Sequence, residues 1–393
     1  MNFLIIMIIT IFFAGFCENL LHQKRIQKIP IRIHVNGTRG KSTTTRLIAA
    51  ILREAGYRVL AKTTGTSPRI ILENGEEITI KRKGSANIIE QKYFIKNAVK
   101  RKCNAVVLES MAVHPETQWI SEHKLIKSTI GIITNVREDH QDVYGPSLKD
   151  AADALKMTVP ENSYLVSAEK KYISTFQEQA KKLNSYYIQV NPDKINLKDI
   201  SKSENFFFKD NVALALQVGK ILNIDESVCL KGILTTKPDP GALSIYKIKK
   251  DGKEIWFINA FAANDRQSIL LIWRKIKQIL PKKINSSTKI AILNHRDDRV
   301  SRTLQFDKIL SQELTFNHVF LVGPNSQLSK RKLVHFGYPT AQITIVNKQE
   351  NVEQIINNII GQIKLNAAVY GIGNTKGFGL EIIDYLKVNG EKI

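Results

Sequence analysis

Hydrophobic and polar positions alternate along the chain in blocks that predict a mainly parallel α/β protein. Short apolar runs rich in β-branched residues are separated by longer stretches with helical spacing. Strands that alternate with helices in this way favour parallel sheets rather than hairpins. In the second half of the chain, the runs predicted as strands are Ile255–Ile258, Ile290–Leu293, Val319–Val322, Ile343–Val346 and Ala367–Ile372.

The N-terminal block has a different pattern from the rest. Residues 1–17 carry no charge and are almost wholly apolar, and the first basic residues come after them: Lys24, Arg25, Lys28 and Arg32. A cleaved signal peptide has its positive charges before the apolar run. The observed order therefore favours a membrane anchor over residues 1–22, rather than a signal or a buried core helix. Positive-inside asymmetry then predicts a protein of the cell membrane with its catalytic body in the cytoplasm.

A turn-rich cluster divides the remainder of the chain. A chain of 393 residues is too long for one small core. The cluster Lys237-Pro-Asp-Pro-Gly241 suits a hinge between domains. We therefore expect a central α/β domain over residues 29–238 and a smaller Rossmann-like α/β domain over residues 242–393.

The segment Asn36-Gly-Thr-Arg-Gly-Lys-Ser42 is predicted to bind phosphate. It follows the β-prone run Ile31–Val35 and precedes a run of helix formers that Gly56 ends. Glycines let backbone N–H groups face phosphate oxygens at a helix N-terminus, and a lysine reaches the outer phosphates. The pattern is a shortened Walker loop, with Val35 where the full form has glycine. It predicts ATP with Mg²⁺ as cofactors, Ser42 as a metal ligand, and seven nucleotide-binding residues: Gly37, Thr38, Arg39, Gly40, Lys41, Ser42 and Thr43.

Two other apolar runs also end in polar residues. The run Ala105–Leu108 ends in Glu109, and the run from Ile130 ends in Thr134-Asn-Val-Arg-Glu-Asp-His140. Open α/β sheets place ligand groups where their strands end. We therefore expect both ends to lie close to the phosphate loop.

The loop and the second cluster together resemble the signatures of Mur ligases and folylpolyglutamate synthases. In the cluster, Thr134, Asn135, Asp139 and His140 are in step with the T-N-x-x-x-D-H sequence of those enzymes. Within that superfamily, nearly the whole chain resembles the ATP-dependent ligase subunits of poly-γ-glutamate capsule synthases, the PgsB/CapB family. The resemblance implies transfer of glutamate onto a poly-γ-glutamate chain through an acyl phosphate. It also implies small integral-membrane capsule synthase subunits as partners.

The same resemblance assigns roles to individual residues. Glu109 and His140 match two ligands of a second Mg²⁺, and Lys156, sixteen residues after His140, matches a carbamylated lysine of the metal site. An exposed helix lysine is the alternative for Lys156. Asn211 matches an adenine contact, and Asn264 matches an asparagine that opens the C-terminal domain. The resulting catalytic set is Lys41, Glu109, His140 and Lys156, and the metal set is Ser42, Glu109, His140 and Lys156.

Two clusters in the second half are candidates for substrate contact. The segment after Leu293 concentrates three arginines, Arg296, Arg299 and Arg302. Guanidinium groups bind carboxylates bidentately, which suits glutamate, and a solvated basic loop is the alternative. The glycine cluster Gly371–Gly379 lacks the G-x-G-x-x-G spacing of dinucleotide sites. It is predicted to be a glycine turn at the end of a strand.

The formal net charge of +22 restricts the partners. Such an excess is typical of proteins that bind nucleic acid, anionic membranes or acidic substrates, although an AT-rich genome also raises it. No nucleic-acid motif accompanies it in the sequence. We therefore expect no nucleic-acid partner and assign the charge to poly-γ-glutamate and an anionic membrane surface. Two alternatives stay open: a Mur or folylpolyglutamate-type ligase acting on another carboxylate, and a membrane-associated P-loop NTPase.

Overall fold

A computed structural model describes residues 2–65, 67–82, 84, 86–139, 141–195, 207–239, 242–263, 265–285, 287–297, 300–347, 349–364 and 366–393. The chain divides into two compact units, and the division falls between Asp239 and Pro240. That position lies inside the turn-rich cluster of the sequence. Each unit has its own sheet and its own core.

The first unit begins with one long helix, α1 (Asn2–Gln27). Its apolar part is long enough to cross a membrane, and the side chains of the spanning window are not buried in the protein. The last turns differ, because His22 and Ile26 are 1% and 2% exposed. The helix therefore continues past the predicted anchor without a break and ends inside the core of the first unit.

The first sheet is mainly parallel, as predicted. Its strand order among the described residues is β4-β3-β2-β5-β1-β6-β7-β8, with β3 and β4 antiparallel at one edge. The strands are β1 (Ile31–Asn36), β2 (Val59–Thr63), β3 (Arg69–Ile71), β4 (Glu77–Thr79), β5 (Ala105–Glu109), β6 (Ile130–Ile133), β7 (Tyr164–Ser167) and β8 (Tyr186–Gln189). The phosphate-loop strand β1 lies between β5 and β6. The three polar strand ends of the sequence are therefore neighbours.

Helices cover both faces of this sheet, since successive side chains of a strand face opposite sides. Val107 packs with α2, α8 and α9, whereas Val106 and Leu108 pack with α3 and the end of α1. The helices after α1 are α2 (Lys41–Glu54), α3 (Glu90–Lys100), α4 (Pro115–Ile120), a π-helix (Ser121–Ile126), α5 (Gln141–Tyr144), α6 (Leu148–Leu155), α7 (Ile173–Lys182), α8 (Lys209–Ile221) and α9 (Glu226–Leu234). Short 3₁₀ turns lie at Lys156–Thr158 and Pro192–Lys194.

The second unit contains another mainly parallel sheet, of strand order β13-β12-β11-β14-β10-β9-β15 among the described residues. Its strands are β9 (Ser244–Lys250), β10 (Lys253–Asn259), β11 (Thr288–Asn294), β12 (His318–Val322), β13 (Ile343–Ile345), β14 (Asn366–Gly373) and β15 (Glu391–Lys392). All five apolar runs predicted as strands form strands. The antiparallel strands β9 and β15 were not predicted, because β9 is rich in lysine and β15 has two residues.

The helices of the second unit connect its strands in two opposite directions, and we call the edge between the carboxyl ends of β11 and β14 its crevice. The helices are α10 (Arg266–Ile279), α11 (Lys282–Asn285), α12 (Val300–Gln312), α13 (Ser326–His335), α14 (Val352–Gln362) and α15 (Phe378–Asn389), with a 3₁₀ turn at Thr340–Gln342. From β11 the chain continues through α12 to β12, whereas from β14 it continues through α15 towards β15 at the other side of the sheet. Ligands bind open α/β sheets at such a reversal, outside the carboxyl ends of the two strands.

Candidate active site

The loop between β1 and α2 requires its two glycines. Gly37 has φ of 121° and Gly40 has φ of 87°, a region that side chains rarely adopt. A Cβ atom on Gly37 would lie 2.8 Å from the backbone nitrogen of Thr134, and one on Gly40 would lie 2.4 Å from Oδ1 of Asn211. The loop thus lies directly against the end of β6 and against the first turn of α8. Asn211, the predicted adenine contact, is next to the loop.

Asn135 holds the loop in shape. Its Oδ1 accepts the N–H of Arg39 at 3.1 Å, and its Nδ2 donates to the carbonyl of Arg39 at 2.9 Å. The N–H of Thr38 donates to the backbone oxygen of Asn135 at 2.9 Å. An ion pair between Arg39 and Asp139, with 3.2 Å between charged atoms, adds a further link. The second polar cluster therefore positions the phosphate loop.

A buried carboxylate faces the start of α2. Oγ of Ser42 donates to Oε2 of Glu109 at 2.9 Å, and the N–H of Thr64 donates to the same oxygen at 2.7 Å. Glu109 is 4% exposed. Burial raises the pKa of Glu109, while the charge of Lys41 and the two hydrogen bonds oppose that rise. The contact from Thr64 had no signal in the sequence.

Lys41 is the positive group at the same strand edge. Its Nζ donates to the backbone oxygens of Gly37 at 2.7 Å and of Thr38 at 3.2 Å. Burial lowers the pKa of Lys41, while the negative charges of Glu109 and Asp139 oppose that change. Opposite charges are therefore held close together beside the loop, where phosphate and metal are expected.

The chemistry of the donor set fits Mg²⁺. The Ser42 hydroxyl and the Glu109 carboxylate are hard oxygen donors of the kind that Mg²⁺ takes. A buried carboxylate is costly unless a cation neutralises it. Among the described residues, no three His, Cys, Asp or Glu side chains group closely enough to hold a metal by themselves. His140, predicted as the third ligand, lies outside the described residues.

Lys156 lies on a segment that borders the loop. It begins the 3₁₀ turn Lys156–Thr158, and Oγ1 of Thr158 accepts a hydrogen bond at 3.0 Å from Asn36, the residue before Gly37. The ammonium of Lys156 lies 2.6 Å from the carboxylate of Asp153. Its carbamylation and its role as a metal ligand stay predictions.

Glu169 was missed by the sequence analysis. It is 5% exposed, and its carboxylate accepts the N–H of Val136 at 2.7 Å and the N–H of Lys171 at 2.7 Å. It thereby fixes the backbone next to Asn135. The signal was present, because Glu169 closely follows the apolar run of β7, as Glu109 follows the run of β5.

The crevice of the second unit is lined by neutral polar groups. Nδ2 of Asn294, at the end of β11, donates to the backbone oxygens of Asn374 at 2.6 Å and Lys376 at 2.9 Å. Nδ2 of Asn374 donates back to the oxygen of Asn294 at 3.1 Å. Gly373 has φ of 100°, and a Cβ there would lie 2.5 Å from the same oxygen. The glycine cluster is the turn at a strand end that the sequence predicts.

Two atoms at this edge are buried without a hydrogen-bond partner within the described part of the chain. They are Nε2 of His295 and Oδ1 of Asn259. Burial lowers the pKa of His295 to about 4, so its ring is neutral at pH 7. Because buried polar atoms are normally hydrogen-bonded, two unpaired ones at the ends of β10 and β11, on either side of β14, indicate a place for a polar ligand.

The predicted substrate residues are only partly covered by the structure. Arg296 is half-buried, and its backbone oxygen accepts a hydrogen bond from Asn325 at 3.2 Å. Arg299 and Asn264 lie outside the described residues. Arg302 belongs to α12, and its backbone alone is described. Glutamate binding by these residues stays a prediction.

Comparisons with known proteins identify the class. The middle-domain model of Mur ligases matches residues 35–229. The fold is similar to Escherichia coli FolC in complex with DHPP and ADP, with a TM-score of 0.66, 15% identity, and coverage of 94% of this chain and 92% of that one. It is also similar to the Yersinia pestis bifunctional folylpolyglutamate synthase/dihydrofolate synthase complexed with AMPPNP and Mn ion, with a TM-score of 0.68, 14% identity, and coverage of 94% and 91%. The chain has the Mur ligase fold.

More specific matches identify the family. The model of the poly-gamma-glutamate synthase CapB C-terminal domain matches residues 245–389. The chain is 38% identical to PGA synthase CapB of Bacillus subtilis strain 168, over 97% of this chain and 96% of that protein. It is 37% identical to the capsule biosynthesis protein CapB of Bacillus anthracis, over 97% and 82%. The chain belongs to the poly-γ-glutamate synthase CapB family of Mur ligases.

Proposed function

We propose that the chain is an ATP-dependent amide ligase that adds glutamate to a growing poly-γ-glutamate chain. Membership of the CapB family supports the substrate. The observation that carries the reaction type is the contact of Ser42 with buried Glu109, next to Lys41 on a glycine loop. That edge offers the cation of Lys41, the carboxylate of Glu109 and the free N–H groups of a helix start, which is a site for a metal-bound polyphosphate.

The first half-reaction takes place at this edge. ATP with Mg²⁺ supplies an electrophilic γ-phosphoryl group. Lys41 and the first turn of α2 bind its phosphates, and the residues that would hold the metal are Ser42, Glu109, His140 and a carbamylated Lys156. A carboxylate oxygen at the end of the polymer bonds to the γ-phosphorus while the bond to the ADP oxygen breaks. The product is an acyl phosphate, and positioning and charge neutralisation account for most of the rate gain.

The second half-reaction forms the amide. The amine nitrogen of glutamate bonds to the acyl carbon, phosphate leaves, and the nitrogen loses a proton. We assign glutamate to the crevice of the second unit, where the unpaired Nε2 of His295 is buried, with the unpaired Oδ1 of Asn259 at the end of β10, on the other side of β14. The residues assigned to its carboxylates are Arg296, Arg299 and Arg302, and Asn264 is assigned as a further substrate contact. Guanidinium forks discriminate dicarboxylic amino acids from neutral ones by bidentate hydrogen bonds.

The catalytic body is held at the cytoplasmic side of the cell membrane by α1. Three features support an anchor over a signal peptide. The apolar window from Phe3 is exposed, the helix is unbroken to Gln27, and its last turns are part of the core through His22 and Ile26. The exposed apolar side chains suit the small integral-membrane subunits that we propose as partners.

The reaction is tested with the full-length chain in lipid vesicles. Release of phosphate from ATP is measured with and without glutamate and a short γ-glutamate oligomer, and hydroxylamine is added to trap the acyl phosphate. We expect phosphate release to require the oligomer, and a hydroxamate to form in the absence of glutamate. ATP turnover that depends on neither glutamate nor the oligomer would favour a P-loop NTPase. Turnover with another carboxylate would favour a different ligase.

The anchor is tested by deleting residues 2–17, because the shortened chain retains Glu18, His22 and Ile26. We expect this variant to bind nucleotide normally, to leave the membrane fraction and to make no polymer in cells. A full-length chain in the soluble fraction, or full polymer output from the deletion, contradicts the anchor. The phosphate-release assay on the soluble variant separates a failed anchor from a failed active site.

A further inference from the structure

The anchor helix is fixed to the catalytic body rather than joined by a flexible linker. Glu18 pairs with Lys92 of α3, with 2.8 Å between charged atoms. Nε2 of His22 lies 3.0 Å from the backbone oxygen of Leu125, and Gln23 donates to the backbone oxygen of Lys124 at 3.2 Å. These contacts join α1 to α3 and to the π-helix. If α1 crosses the membrane, as the proposed function requires, the same two elements always lie at the lipid surface.

Large apolar side chains are exposed on those elements and directly before them. Ile89 is 48% exposed, Tyr93 is 68% exposed, and Trp119, at the end of α4 just before the π-helix, is 41% exposed. Ile89, directly before α3, lies on the same face as Tyr93, Lys96 and Lys100 of that helix, since the four recur at helical spacing. None of these three apolar side chains is in the core, although each is close to a contact of α1.

The same surface has an excess of positive charge. Within the described part of the chain, no ion pair involves any of these lysines: Lys24, Lys28, Lys96, Lys100, Lys124 and Lys127. The nearby acids are engaged elsewhere, because Glu18 pairs with Lys92, Glu90 with Lys62 and Arg82, and Glu122 with His34. Glu116 of α4 and Glu18 of α1 are exposed acids of this region. Lys124 lies over the ring of Trp119, 5.1 Å from its centroid.

We propose that this surface, defined by Ile89, Tyr93, Lys96, Lys100, Trp119 and Lys124 and called the membrane face, lies against anionic lipid headgroups. Tyrosine and tryptophan prefer the boundary between headgroups and acyl chains, where one end of the ring is apolar and the other is wet. Lysines near an anionic leaflet each contribute to binding. The membrane face therefore fixes the orientation of the catalytic body, and the inference rests on the proposed anchor.

The test uses the full-length chain in vesicles that contain phosphatidylcholine brominated near the headgroup. Bromine quenches only tryptophans that reach the lipid, so the wild type is compared with Trp119→Phe. We expect quenching in the wild type and its loss in Trp119→Phe. We also expect at least twofold more quenching when about a third of the lipid is phosphatidylglycerol.

A matched control places the reporter elsewhere. Tyr186, 71% exposed on edge strand β8, lies four strands away from β5, where the end of α1 packs. Tyr186→Trp in the Trp119→Phe background is expected to show no quenching. Charge is tested by reversing Lys96, Lys100 and Lys124 to Glu, against the same reversal at three exposed lysines of the first unit: Lys170, Lys181 and Lys182. The first set is expected to abolish the effect of phosphatidylglycerol, and the second to preserve it.

The outcomes separate this inference from the proposed function. If the chain floats with vesicles but Trp119 is quenched no more than the tryptophan at position 186, the membrane face is overturned and the anchor is retained. Equal effects of the two charge reversals overturn the role of the lysines. A full-length chain that does not float with vesicles refutes the anchor and the membrane face together. Quenching of Trp119 that depends on phosphatidylglycerol supports the proposal.

Discussion

The two units place a glycine turn at the carboxyl edge of a parallel sheet, but they line that edge with different chemistry. In the first unit, the edge holds buried charges on Lys41 and Glu109. In the second unit, it holds neutral groups, including Asn294, Asn374 and a histidine whose pKa is lowered to about 4. The topology of an α/β sheet thus provides the place for a ligand in both units, and the side-chain charge decides which ligand fits.

The difference has a physical cause. Phosphate and Mg²⁺ require charges that neutralise theirs, and those charges are strongest where water is excluded. An amide network carries no net charge and stays satisfied without a ligand, so it holds a precise shape at little electrostatic cost. The buried groups of the first edge are therefore expected to act through charge, and the buried amides of the second through shape and hydrogen bonding.

The largest expected effect comes from removing the cation of the first edge. Lys41→Ala is expected to reduce ATP turnover by about a thousandfold or more, because no other group replaces its contact with the outer phosphates. Phosphate release measures this loss. Thermal unfolding is the control, since the hydrogen bonds of the lysine to described residues go to the loop carbonyls of Gly37 and Thr38. Normal ATP hydrolysis by this variant would show that the loop assignment is wrong.

The second-largest loss of activity is expected from neutralising the carboxylate of Glu109. Glu109→Gln keeps the shape but removes the charge that Mg²⁺ requires, and activity is expected to fall by about a hundredfold or more. Nucleotide binding, measured with a fluorescent ATP analogue, is expected to be largely retained. The variant is also expected to be no less stable than the wild type without ligands, because burial raises the pKa of Glu109 and disfavours its charge. Unchanged activity at low Mg²⁺ contradicts a role as a metal ligand.

Shape at the two edges is tested by adding one methyl group to each. Gly37→Ala and Gly373→Ala are each expected to lower the free energy of unfolding by about 2–4 kcal/mol, because the new Cβ meets backbone atoms at less than 3 Å. The matched controls are Gly75→Ala and Gly377→Ala, which share the positive φ but have no atom closer than 3.7 Å. They are expected to lose about 1 kcal/mol. The losses are measured by urea unfolding. If Gly37→Ala loses no more than Gly75→Ala, and Gly373→Ala no more than Gly377→Ala, close packing is excluded as the cause.

The smallest expected effect concerns pH and His295. Burial lowers its pKa from 6.5 to about 4, so between these values the unfolded chain binds more protons than the folded chain. The stabilisation from the neutral ring is complete above pH 6.5 and is lost as the pH falls towards 4, by at most about 3 kcal/mol. Trp256 and Trp273 report unfolding of the second unit in a Trp119→Phe background. His295→Gln is expected to flatten this pH dependence, and an unchanged profile would exclude His295 as its source.

Local sequence determined much of the fold and part of the site. The apolar runs fixed the parallel strands, because a buried strand needs a continuous apolar stretch, and the phosphate loop followed from two glycines, a lysine and a serine between a strand and a helix. Glu109 was identified because it ends an apolar run. Such features depend only on neighbouring residues. They can therefore be predicted without knowing which strands pair.

Only the tertiary structure decided which groups meet across the sheet. The order β5-β1-β6 brings Glu109 to Ser42 and Asn135 to the loop, although these pairs are separated by 67 and 96 residues. Thr64 and Glu169 acquire their roles from the same pairing. The fixed junction of α1 with α3 and the π-helix also had no local signal, because a contact between distant segments depends on the whole core. Sequence thus specified the chemical groups, and strand order specified their partners, because hydrogen bonds and ion pairs act only at short range.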